Sequence, residues 1–72
     1  MKDIREFTRS GRHNGVDFTV EIHAYEGGGI EAVAVTVDGL PRRPFSDGHR
    51  PVDTIDEAFE GGAELARHLI GS

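Results

Sequence analysis

The sequence predicts an α+β fold: a three- or four-stranded antiparallel β-meander followed by one C-terminal α-helix packed on one face, in βββα or ββββα order. Three observations carry this. Asn14-Gly15, the pair that best tolerates the two positive φ angles of a type I′ hairpin turn, separates two strand-like stretches. After it, Val16, Phe18, Val20, Ile22 and Ala24 alternate with Asp17, Thr19, Glu21, His23 and Tyr25, the period of a strand with one buried face. From Thr54 the period lengthens: Ile55, Ala58, Phe59, Gly62, Leu65, Ala66 and Leu69 recur at helical spacing.

The first hairpin also fixes a register. A two-residue loop sets Glu6 opposite His23, Phe7 opposite Ile22, Thr8 opposite Glu21, Arg9 opposite Val20 and Arg12 opposite Asp17, so Phe7 is expected to face inward. Glu26-Gly27-Gly28-Gly29 breaks the pattern again, and the alternation of Glu31, Val33, Val35 and Val37 with Ala32, Ala34 and Thr36 predicts a second hairpin. Pairing Tyr25 with Ile30 across a four-residue loop brings Ile22 to Val33, Val20 to Val35 and Phe18 to Val37 on the inner face. Ile30, Ala32 and Ala34 are then left on the outer one. Asp38-Gly39 is a third hairpin-type turn, and Pro41 and Pro44 confine the strand that follows to a sheet edge. Residues 46–52 read as a loop. Thr54 with Glu57 forms a capping-box signature, Asp56 and Glu57 suit the positive end of the helix dipole, and Arg67, His68 and Gly71 suit the far end. Gly61-Gly62 mid-helix costs about 1 kcal/mol per glycine relative to alanine, tolerable where Gly62 lets the helix approach the sheet. The expected core is Phe7, Phe18, Val20, Ile22, Val33, Val35, Val37, Ile55, Phe59, Leu65 and Leu69.

The chain has 72 residues, which makes residues 1–72 a single domain with a thin core. A net charge of −5 repels phosphate backbones and makes nucleic acid an unfavoured partner. Basic charge gathers at Arg5, Arg9 and Arg12 and again at Arg42, Arg43 and Arg50, a local patch if the fold brings the two groups together. Without cysteine there is no disulfide, thiolate metal site or thiol nucleophile, which points to a reducing cytoplasm. No apolar run approaches the ~18 residues of a membrane span and the N-terminus lacks a signal-peptide pattern, so no membrane association is expected.

Asp17-Phe18-Thr19-Val20-Glu21-Ile22, Ala32-Val33-Ala34-Val35, Thr54-Ile55-Asp56-Glu57-Ala58 and Ala66-Arg67-His68-Leu69-Ile70 together resemble a group of short uncharacterised bacterial proteins built as a β-meander followed by a helix. The resemblance implies bacterial origin and the βββα order. It implies no catalytic residue.

Catalytic signatures are sparse. Gly27-Gly28-Gly29 leads into a strand, not a helix, so it lacks the geometry of a phosphate loop. The histidines at 13, 23, 49 and 68 are scattered; Glu21, His23 and Glu6 form the best ligand grouping and read as an ordinary cross-strand charged set. Ser10 and Ser46 have no oriented base nearby in the pattern. No catalytic residue, metal or cofactor is therefore expected, and the chain reads as non-enzymatic. The uncovered sheet face remains: Ile4 and Ile30 flank Tyr25, Ala32 lies beside His23, and Arg43 and Phe45 approach from the edge strand. That patch suggests an interaction module using the face for self-association, as a homodimer, or for a protein partner. Two alternatives stand beside it. One is an acidic inhibitor or nucleic-acid mimic acting through Asp56, Glu57, Glu60 and Glu64. The other is a weak RNA or small-ligand binder on the sheet face.

Overall fold

The computed structural model of the chain describes residues 3–45 and 51–71. Strands β1 (Ile4–His13), β2 (Val16–Tyr25), β3 (Ile30–Val37) and β4 (Arg43–Pro44) form one antiparallel sheet in the order β1-β2-β3-β4, and helix α1 (Ile55–Ile70) packs on one face. This is the four-stranded form of the predicted α+β fold.

Asn14 and Gly15 take φ angles of 51° and 77°, the left-handed pair of a type I′ turn, and every β1–β2 pairing expected from it is present. Val20 and Ile22 are wholly buried beneath the helix. The second hairpin follows the expected register for Phe18–Val37 and Val20–Val35, then departs from it. A β-bulge falls between Glu21 and Ile22, after which Ile22 faces Ala32, His23 faces Glu31 and Ala24 faces Ile30. The extra residue is Val33. Without the bulge Glu31 would stand opposite Ala24 on the inner face, where an unpaired carboxylate costs far more than an interrupted ladder. With it, Glu31 turns outward, while Ile30 and Ala32 turn toward the helix.

One expected core member and one expected outer residue therefore change places. Val33 leaves the core and Ala32 enters it. Phe7 has the inward parity predicted for it but remains 36% exposed, because α1 lies over β3 and β2 and scarcely reaches β1. On the helix, the residues fully buried against the sheet are Ala58, Gly62, Ala63 and Ala66, with Ile55, Phe59, Leu65 and Leu69 partly buried around them. The Thr54 hydroxyl accepts the Glu57 backbone N–H at 3.1 Å, and the Gly71 N–H closes the far end on the Arg67 carbonyl at 2.9 Å.

The edge beyond β3 is closed in two steps. β4 pairs with Ala34 and Val35, and Val52 exchanges hydrogen bonds of 3.0 and 2.7 Å with Ile30. The predicted edge strand thus shortens to two residues. Of the predicted 46–52 loop, residues 46–50 lie outside the described residues.

Helix α1 comes close to β2 at Gly62, where an added β-carbon would meet Val20 Cγ2 at 2.9 Å and Cγ1 closer still. Gly62→Ala is accordingly expected to destabilise the domain by about 1–3 kcal/mol despite alanine's higher helix propensity. Urea unfolding checks this; a stabilised variant would show that the helix stands farther from β2.

Candidate functional site: the free edge of the sheet

The two edges of the sheet are built differently. On the β3 side, prolines, a short strand and the Val52 bridge cover the backbone, which is how natural sheets blunt an edge. On the β1 side a ten-residue strand runs without proline or lysine. A two-residue hairpin makes His13 and Val16 a hydrogen-bonded pair, so the odd-numbered residues of β1 direct their N–H and C=O groups at β2. The Glu26 N–H donating to the Asp3 carbonyl at 3.1 Å continues that alternation past the strand's start. The backbone groups of Ile4, Glu6, Thr8, Ser10 and Arg12 consequently point away from the sheet. Among the described residues nothing pairs with them, and residues 4–10 are all exposed.

Side chains sort by the same parity. Arg5, Phe7, Arg9, Gly11 and His13 share the helix side, and Ile4, Glu6, Thr8, Ser10 and Arg12 the outer side. The hairpin half of β1 is fastened to α1. Gly11 lets the strand pass close to the stacked rings of Phe18 and Phe59, whose centroids are 6.0 Å apart, and His13 and Asn14 reach the Gly71 carbonyl at 3.2 and 3.3 Å. Arg9 pairs with Asp56 and lies 6.0 Å from the centre of the Phe59 ring. Next to this anchored half, Phe7 (36%) and Ile4 (49%) are among the most exposed large apolar side chains described.

The predicted outer-face patch is split by the bulge. Ile30 and Ala32 lie on the helix side, Ala32 in the core and Ile30 packed against it, and Phe45 also packs against the core. Arg43 stands opposite Val35 on β4, exposed and by that register on the helix side of the sheet, not on the face of Tyr25. Ile4, His23 and Tyr25 do come together: Ile4 faces Tyr25 directly, and the His23 and Tyr25 rings meet edge-on at 6.4 Å. Around them the face is polar. Glu6 approaches His23 Nε2 at 3.4 Å, and Arg42 reaches across β3 to Glu21 at 2.7 Å. Ala34, on this same face, is wholly buried between Glu21 and Pro44.

The two basic groups do not form one patch, since β1 and β4 are opposite edges; Arg50 lies outside the described residues. Of the helix carboxylates, Asp56 holds Arg9 and Glu60 lies 3.7 Å from Arg67. Glu64 borders an open depression of about 400 Å³ between His13 and the end of α1, together with Arg67, His68 and Gly71. At the first hairpin, the hydrogen bond from Arg12 at 2.8 Å and the charge behind it hold the Asp17 carboxyl below its ordinary range. The free edge itself was missed by residue-type reasoning. The signal for it was positional: prolines at 41 and 44 guard one end of the strand order, while none guards β1.

Comparison with known proteins finds no matching family model, no matching curated protein and no matching solved structure, so the resemblance drawn from the residues has no detected relative behind it.

Tyr25 donates its hydroxyl proton to Glu31, and that bond, with slight burial and the carboxylate charge, raises the phenol above its ordinary value. A raised value in the folded state means a contribution to stability that is complete below the ordinary tyrosine range and lost as pH climbs through the folded-state value. Glu31→Ala is expected to bring the titration down toward the ordinary range, read from ultraviolet absorbance of the sole tyrosine in a chain without tryptophan. An unchanged titration would contradict the Tyr25–Glu31 bond.

Proposed function

We propose that this protein is a non-enzymatic interaction module that binds a protein partner by strand addition at β1. The observation that supports the reading is the asymmetry of the sheet: one edge is covered, and on the other the outward backbone groups of alternate β1 residues have no partner among the described residues, with Phe7 and Ile4 exposed beside them. Strand addition draws affinity from main-chain hydrogen bonds and specificity from alternate side chains. Phe7 would be covered on the helix side, and Ile4, His23 and Tyr25 mark the outer margin of the contact. A cysteine-free composition suits work in the cytoplasm. Acting as an acidic mimic is the weaker reading, because Asp56 and Glu60 are engaged by the chain's own arginines.

Thr8→Pro tests the edge with little cost to the fold. The Thr8 N–H points away from β2, so proline there removes an outward donor and leaves the β1–β2 ladder bonded. Association by the wild type is expected to weaken at least tenfold in Thr8→Pro, measured by sedimentation or by retention of a partner on the immobilised chain. Circular dichroism checks that the variant is folded. Association that survives Thr8→Pro and is lost in Tyr25→Glu would return the contact to the sheet face.

A further inference from the structure

The charge order along β1 accommodates a second β1 over most of its length in one register. Only even-numbered residues have outward backbone groups, so a strand added antiparallel to β1 must bond at Ile4, Glu6, Thr8, Ser10 and Arg12. For a second β1 the possible two-fold centres differ sharply in electrostatics. Centring on Glu6 sets that carboxylate against its own copy, centring on Phe7 sets Arg5 against Arg9 twice, and centring on Arg9 opposes two arginines. Each places like charges directly across the ribbon. Centring on Ser10 avoids this but shortens the overlap to residues 7–13. Centring on Thr8 pairs residues 4–12 over ~27 Å with no like charges opposed. Glu6 then faces Ser10 of the second copy, Ile4 faces Arg12, Arg5 faces Gly11, and Thr8 meets itself on the axis. On the helix side Phe7 lies opposite Arg9 of the second copy and diagonal to its Phe7, within aromatic reach. The Arg9 charge is already matched by Asp56.

Resting on the edge reading above, we infer that the strand added to β1 is β1 of a second copy of this chain, antiparallel and centred on Thr8. The two four-stranded sheets become one eight-stranded sheet with both helices on the same face. The exposed Phe7 side chains line the seam between the helices.

The absence of native cysteine makes the test direct, because a single introduced thiol reacts only with its own copy. In the Thr8-centred register the two Thr8 Cα atoms are about 5.5 Å apart, within disulfide reach. Two copies of residue 6 are separated by ~13 Å along the ribbon. Thr8→Cys is therefore expected to form a covalent dimer under mild oxidation, and Glu6→Cys alone is expected not to. An equimolar mixture of Glu6→Cys and Ser10→Cys is expected to give the mixed dimer. Sedimentation of the unmodified chain is expected to show twice the 7.8 kDa chain mass at high concentration, falling to one chain in Thr8→Pro. A chain that stays monomeric at every concentration, an inert Thr8→Cys, or Glu6→Cys that links as readily would each overturn the inference. A monomer that still binds another protein through an edge sensitive to Thr8→Pro would overturn self-pairing alone. A monomer whose Thr8→Pro variant binds whatever the wild type binds would overturn the edge reading as well.

Discussion

The close seating of α1 on β2 governs the rest of this structure. A helix contacting a sheet through Ala58, Gly62, Ala63 and Ala66 brings its backbone down almost onto Val20, so the large side chains at Ile55, Phe59, Leu65 and Leu69 spread to the flanks instead of standing between the layers. Close approach raises the number of dispersion contacts each buried atom makes, which matters in a chain too small for a thick core. It also narrows the helix's footprint. One 16-residue helix seated over β3 and β2 cannot also cover β1, and Phe7 is left in the open as a direct result.

The bulge at Val33 serves the same economy on the other side of the sheet. It places Ala32 beneath the helix and turns Ile30 toward Val52, while Glu31 goes to the outer face to meet Tyr25. The outer face becomes a polar surface, with Arg42–Glu21 and Arg12–Asp17 ion-paired across strands and Glu6 beside His23. Such exposed pairs add little to stability individually, but they leave that face with few unmatched charges and little apolar area. In the proposed reading, association falls to the strand that ends this face and not to the broad face itself.

β1 also differs along its length. Its hairpin half is held by Arg9, Gly11 and His13 against the helix. The half from Ile4 to Phe7 is held chiefly by β2. An edge that is anchored yet has no partner among the described residues is unusual in a monomeric sheet, where bulges, prolines or lysines normally interrupt it.

The amino-acid sequence alone determined the meander-then-helix order, the type I′ turn, the whole β1–β2 register, the inward parity of Val20 and Ile22, the helix limits and the value of glycine at position 62. These are local matters of φ preference, period and capping, and they depend on neighbours a few residues away. Tertiary structure decided what those patterns leave open: the bulge that reversed Ile30 and Ala32, the shortening of β4, the exposure of Phe7 and the freedom of the β1 edge. Each of these turns on competition for one limited helix surface and on keeping Glu31 out of the core. A period of two records that a strand has two faces, but which residues are covered depends on where a distant helix comes to rest.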